Sequence, residues 1–236
     1  AIGLVAEDFL SDRVVHEFSS LYKGYTIINV PVDIIQKFYS MPLFEIQNFL
    51  PGRSFLPNEF LILKDELGSS ASAIGRVSGD RKYLLPLVFG DEFVWGVKAR
   101  NAQQKMAMEL LLNKEIPLVT LTGKAGTGKT LLSLAAGLMQ TEDEHAYKKL
   151  LVARPIVPLG KDIGYLPGEK EEKLRPWMQP IYDNLEYLFN TKQSRDLDKI
   201  LAGLGSIQVE ALTYIRGRSI PEQFIIIDEA QNLKQF

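Results

Sequence analysis

Eight residues in the middle of the chain, Gly123, Lys124, Ala125, Gly126, Thr127, Gly128, Lys129 and Thr130, fit the spacing G-x-x-x-x-G-K-[ST] at each defined position. The chemistry of that spacing is phosphate binding. Glycines let successive backbone N–H groups turn inward around phosphate oxygens, and a helix starting near Lys129 adds the positive end of its dipole. Lys129 would place an ammonium on the β- and γ-phosphates, and the Thr130 hydroxyl would ligate Mg²⁺. A glycine-rich turn of no chemical consequence can also join a strand to a helix. Here the apolar run "IPLVTL" precedes the motif and the apolar helix "KTLLSLAAGLM" follows it, which is the context the motif requires.

A Mg-nucleotide site also needs an acid at the end of a neighbouring strand and a group to orient the attacking water. The run "FIIIDEAQN" offers both, with Asp228 at the strand end as the metal-shell residue and Glu229 beside it as the water activator. Two solvated acids closing a strand would look the same in isolation. Asp228 lies 98 residues after Thr130, and the pair gains meaning from the phosphate loop.

Ahead of the loop, "RNAQQKMA" (100–107) resembles the N-x-x-Q-x-x-A element of superfamily 1 helicases. In that register Gln104 reads the adenine edge and Gln103 is its neighbour. An amide suits adenine because it accepts from N6 and donates to N7 at once. A polar face on an amphipathic helix accounts for the same residues.

The order of "GKAGTGKT", "VARPIVPLGKDIGYLPGEKEEKLRPWMQPIYDNL" and "YIRGRSIPEQFIIIDEAQN" is similar to that of PhoH-like ATPases, over residues from about 98 to the end. The opening "AIGLVAEDFLSDRV" resembles the last stretch of a PIN nuclease domain leading into the PhoH-like half of a PIN–PhoH fusion. The resemblance implies a cytoplasmic P-loop ATPase related to superfamily 1 helicases. It further implies action on single-stranded RNA, with a fused PIN domain that cuts RNA. The acids of such a nuclease would lie before Ala1, and helicase-type sensor and arginine-finger motifs after Phe236. The chain as given is therefore expected to lack nuclease activity and to hydrolyse ATP slowly.

Four basic residues are candidates for nucleic-acid contact. Arg154 and Lys161 lie in "ARPIVPLGKDIGYLPG", where they would meet the RNA backbone, with Tyr165 or Trp177 stacking on a base. The alternative is a structural loop packing Ile156, Ile163 and Leu166. Arg216 and Arg218, in "YIRGRS", would lie on one side of an extended segment. They would face RNA, a nucleotide held by a neighbouring copy in a ring, or plain solvent. The run "GEKEEKLR" reads as a solvated helix start.

These residues need elements to position them. Among 236 residues, 46% hydrophobic and 24% charged, there is enough apolar content for a buried core, and a net charge of −2 restricts any nucleic-acid contact to a local patch. Absence of cysteine removes disulfides and thiolate chemistry, and His16 and His145 form no ligand cluster. No leader or membrane-spanning run is visible. The chain reads as part of a longer protein.

Three parts are expected. Residues 1–55 are read as the end of a PIN domain and a connector, with a short helix at "PVDIIQKFYS" opened by Pro31. Residues 56–98 are read as a small β-rich domain, an antiparallel meander of "EFLILK", "SAIGRV", "KYLLPLV" and "FVWGVK". It would serve either as an RNA-binding barrel using Arg76, Arg81 and Lys82 or as a spacer. Residues 99–236 are read as a PhoH-like P-loop ATPase domain, C-terminally incomplete. The predicted fold class is α/β, a helicase-like P-loop NTPase with a parallel sheet, preceded by the β-rich part. Its strands fall at "PLVTL", "KKLLVA", "IQVEAL" and "FIIID". Two rival functions share the loop: a small-molecule kinase, and a scaffold whose assembly is gated by nucleotide.

Overall fold

The computed structural model describes residues 22–156, 170–191 and 193–233. The PIN-like opening stretch, Lys161 and Tyr165 lie outside them. The chain divides into two compact units at Pro86/Leu87.

In the first unit, β1 (Tyr25–Val30) is followed by α1 (Val32–Ser40), β2 (Phe44–Glu45), α2 (Ile46–Phe49), β3 (Phe60–Asp65), β4 (Ser72–Val77) and β5 (Tyr83–Pro86). The strands form one sheet in the order β1-β3-β4-β5-β2. The meander is present, since β3, β4 and β5 pair antiparallel. Residues 25–50 are not a connector, however: β1 lies parallel to β3, with Tyr25 opposite Phe60, and β2 pairs antiparallel with β5. A parallel partner needs a crossover, and the helix opened by Pro31 lies on that path. Its Ile35 and Phe38 join Ile28, Val30, Leu61, Leu63, Val77 and Leu84 in the core of this unit. The buried acids are used in local structure. Glu59 takes the Thr26 hydroxyl at 2.6 Å and the Leu56 N–H at 2.8 Å, while Asp65 accepts from the N–H groups of Leu67 and Ser69.

The second unit contains β6 (Phe93–Val94), β7 (Val97–Lys98), α3 (Ala102–Leu112), α4 (Lys129–Leu138), β8 (Lys149–Arg154), α5 (Lys170–Leu188), α6 (Ser194–Leu204), β9 (Ile207–Ala211) and β10 (Gln223–Ile227). The "FVWGVK" run is the β6–β7 hairpin and belongs here rather than to the meander. Its Val94 and Val97 are buried with Met108, Leu111, Leu132 and Ala135. The preceding segment is tied to α3, where the buried Glu109 carboxylate accepts the N–H groups of Val88 (2.8 Å) and Phe89 (3.1 Å).

Three strands form a parallel sheet in the order β10-β8-β9. The central strand β8 buries Leu150, Leu151, Val152 and Ala153 completely, as a strand covered on both faces does. Leu150 and Val152 pack with Leu134, Leu138, Met178 and Ile181 from α4 and α5. Leu151 and Ala153 meet Ile215 on the opposite face. At Gly137, α4 lies close against the sheet. A Cβ there would sit 2.7 Å from Leu150 Cδ1 and 3.0 Å from Phe224 Cδ1.

"PLVTL" departs from expectation. Val119 and Leu121 point inward and Leu118, Thr120 and Thr122 outward, the period-two pattern of a strand. Yet it joins no ladder, because among the described residues β10 pairs only with β8. No helix among the described residues is long and apolar enough to cross a membrane.

Candidate nucleotide site

The phosphate-loop motif folds as a turn leading directly into α4, whose N-cap is Gly128 at φ 88°. A side chain there would be strained by the left-handed backbone and would approach Gln104 Nε2 at 3.3 Å. Inside the loop the Thr127 hydroxyl donates to the Lys124 carbonyl at 2.8 Å. The Lys129 ammonium donates to the carbonyls of Gly123 (2.8 Å) and Lys124 (2.9 Å). These bonds hold the lysine over the loop, where phosphate oxygens would compete for the same protons.

Asp228 lies beside the first turn of α4. Asp228 follows β10, its backbone N–H bonded to the Ala153 carbonyl at 2.9 Å. Its Oδ1 accepts the Thr130 hydroxyl at 2.9 Å. The register of β10 on β8 and the close packing of α4 over both strands set this distance, since Thr130 opens the helix and Asp228 ends the strand. Glu229 adopts a left-handed backbone, φ 53°, as N-cap of the short 3-10 turn Ala230–Asn232. Its Oε2 accepts from Gln231 Nε2.

Gln104 lies against the loop. Asn101 caps α3 by accepting the Gln104 N–H at 2.9 Å. The Gln104 side chain then accepts the Arg100 N–H at 2.7 Å and donates to the Thr127 carbonyl at 3.2 Å. The N-x-x-Q spacing is thus a capped helix start in which the Gln104 amide reaches back to Arg100, one residue before the N-cap position that a capping box would use, with the amide also tethering the loop. One N–H and one acceptor lone pair of the amide are left over, by the inventory of a primary amide. Gln103 is exposed.

The structure places Arg154 beside Asp228 and Glu229. It closes β8 with its guanidinium facing the acids, Nη1 3.7 Å from Asp228 Oδ2 and Nη2 3.9 Å from Glu229 Oε1. The sequence alone suggested a backbone-contacting loop residue. Parallel register with β10 instead turns this strand-end side chain toward the acids that end the adjacent strand. Arg216 and Arg218 do not lie on an extended segment. Hydrogen bonds from Ile215 N–H to the Leu212 carbonyl and from Arg218 N–H to the Ile215 carbonyl wind residues 212–218 into turns. Arg218 is paired with Glu210 at 2.7 Å, while Arg216 is exposed. Trp177 is half-buried on α5. In the first unit, Arg76 Nη1 donates to Asn58 at 2.9 Å, and Arg81 and Lys82 are exposed near a turn.

The oxygen donors at the mouth of the loop, one hydroxyl and one carboxylate, suit a hard divalent cation such as Mg²⁺. No cluster of three His, Cys, Asp or Glu residues forms a separate metal site among the described residues.

The family model for PhoH-like proteins matches residues 96–236. The chain belongs to the PhoH family. It is 64% identical over 233 residues to Protein PhoH2 of Bacillus subtilis, covering 99% of this chain and 52% of that protein. Protein PhoH2 of Mycolicibacterium smegmatis is 43% identical over 170 residues, 72% of this chain and 38% of the relative. The PhoH2 of Thermobispora bispora is 34% identical over the whole chain and 51% of its own length. The chain thus spans about half, or less, of the curated PhoH relatives it matches. The family match begins at Gly96, in the turn between β6 and β7, and takes in β7 and all that follows it in the second unit.

Proposed function

We propose that the chain is the nucleotide-binding part of an ATP-hydrolysing, helicase-like protein that acts on single-stranded RNA. The observation that carries the ATPase reading is the 2.9 Å bond from the Thr130 hydroxyl to Asp228 beside a phosphate loop. Lys129 and the loop amides hold the phosphates. Thr130 and Asp228 hold Mg²⁺, which when bound supplies positive charge to the β- and γ-phosphate oxygens. Glu229 orients the attacking water and accepts its proton. Gln104, fixed by Arg100 and Thr127, offers its remaining donor and acceptor to adenine. Catalysis is positioning and charge stabilisation, the usual means of phosphoryl transfer.

RNA, coupling to a PIN ribonuclease in the longer protein, a cytoplasmic location and a ring of copies belong to the same proposal. They are motivated by the resemblance of the motifs and by relatives about twice as long as this chain. The deciding experiment is ATP turnover by a chain extended at both ends, with and without single-stranded RNA, beside its Lys129→Ala variant. RNA-stimulated turnover that disappears in the variant is expected. Turnover indifferent to RNA would remove the motor reading, and a positive phosphoacceptor screen would replace it with a kinase.

A further inference from the structure

The Arg154 guanidinium is placed by charge, without a side-chain hydrogen bond among the described residues. Its separations from Asp228 and Glu229, 3.7 and 3.9 Å, are ion-pair distances beyond hydrogen-bond length. Its Nη1 is removed from solvent and has no hydrogen-bond partner among the described residues. A guanidinium carries five donors in a rigid fork matched to planar or tetrahedral oxyanions. A fork held in place by carboxylates that do not bond it is an unfinished binding arrangement.

The acids have other attachments. Asp228 Oδ1 holds the Thr130 hydroxyl, and Glu229 Oε2 holds Gln231. Each carboxylate therefore keeps one oxygen engaged elsewhere and turns the other toward Arg154. The same Thr130 lies in the first turn of α4 at the end of the loop motif, so Arg154 stands across Asp228 from the N-terminus that attracts phosphate. An anion held on the loop and reaching past Asp228 toward the ends of β8 and β10 would meet Arg154, and the terminal phosphate of a triphosphate is the group it would present there.

We propose that Arg154 is a specificity-determining residue that binds the terminal phosphate and lets the site distinguish a nucleoside triphosphate from a diphosphate. This assignment rests on the reading of the loop as a triphosphate site. With a γ-phosphate present, its oxygens supply the acceptors Nη1 lacks. The guanidinium then shares its charge with the phosphate, and the near oxygens of Asp228 and Glu229 become available to the metal shell and to water. A diphosphate leaves Arg154 with the acids. The chain would thereby carry its own triphosphate-reading arginine, without need of a neighbouring copy for that contact.

The test is equilibrium binding, in the presence of Mg²⁺, of fluorescent ADP and of a fluorescent non-hydrolysable imido analogue of ATP to the wild-type chain, Arg154→Ala and Arg154→Lys. Arg154→Ala is expected to weaken the ATP analogue at least about 10-fold, as loss of a charged hydrogen-bond partner does, and to change ADP less than about 2-fold. Arg154→Lys, which keeps the charge and loses the fork, should fall between. Equal weakening of both nucleotides, or of neither, overturns the assignment and leaves Arg154 as a structural counter-charge. Should Arg154→Ala fail to fold, as judged by its thermal transition, an unaltered nucleotide ratio in Arg154→Lys has the same meaning. A wild-type chain that binds neither nucleotide overturns the triphosphate reading itself, and the Arg154 assignment with it.

Discussion

The Thr130 hydroxyl donates to Asp228 Oδ1 at 2.9 Å, joining the first turn of α4 to the end of β10 across 98 residues of sequence. The bond links the phosphate loop to the acid strand, and each partner is a metal-ligand type. Removing the hydroxyl in Thr130→Val keeps the side-chain volume and takes away one oxygen donor. Mg-dependent ATP affinity should fall roughly 10- to 100-fold, the equivalent of a hydrogen bond to a charged group. Affinity measured in EDTA should change little. Titration of nucleotide with and without Mg²⁺ checks this, and an equal loss in both conditions would place the hydroxyl in folding rather than metal binding.

Gln104 makes two bonds to backbone groups and retains one donor and one acceptor. Gln104→Ala should therefore cost ATP more than GTP, because both nucleotides lose the loop tether but only ATP loses a matched base edge. A drop in the ATP-to-GTP affinity ratio of at least about 10-fold is expected if the remaining pair reads adenine. Parallel losses for the two nucleotides would restrict Gln104 to its tether at Thr127.

The phosphate loop and the Asp228-Glu229 pair are legible in sequence because their signals are local: spacing, glycines and strand ends lie within a few residues. The helices α1, α3 and α4 are legible for the same reason. Pairing is not local. Nothing within Tyr25–Val30 says that its partner is β3, more than 30 residues on, so a sheet strand reads as connector. "PLVTL" shows the opposite error, with strand periodicity but no ladder partner among the described residues. The place of Arg154 is not legible because the destination of a strand-end side chain depends on the adjacent strand. Arg216 and Arg218 were misread because their spacing of two suggests one face only if the segment is extended, and Gly217 at φ 79° sits in a turn.

Gly137 carries the packing that delivers Thr130 to Asp228. In Gly137→Val the new branch would enter space held by the fully buried Leu150 and by Phe224, whose atoms would lie 2.7 and 3.0 Å from the Cβ alone. Overpacking of this kind costs about 1–3 kcal/mol, and valine offers a helix too little propensity to offset it. A lower thermal transition is expected, by roughly 2–4 °C per kcal/mol for a chain of this size. Nucleotide affinity should fall as well, because α4 can relieve the clash only by lifting from the sheet. Gly137→Ser, with less bulk, should show both effects more weakly. A valine variant with unchanged melting and binding would mean that the helix and sheet are less closely packed than the distances state.

Asp65 gives the first unit a stability that depends on acid. Its carboxyl is held below the ordinary aspartate range first by the Ser69 side chain and then by the backbone N–H groups of Leu67 and Ser69, which favour the ionised form. These bonds close the turn between β3 and β4. Because the folded-state value is depressed, the stabilisation is complete above the unfolded value of about 3.9. It is lost as pH falls through the lower folded value, where the native carboxylate takes up its proton. Asp65→Asn cannot ionise and should be less stable than the wild type at neutral pH. The gap should stay constant from pH 7 to about 5 and close below about pH 4, since only the wild type loses a charged acceptor there. Denaturant titrations of both proteins across that range check the prediction. A gap independent of pH would assign the effect of the substitution to turn geometry rather than to the charge on Asp65.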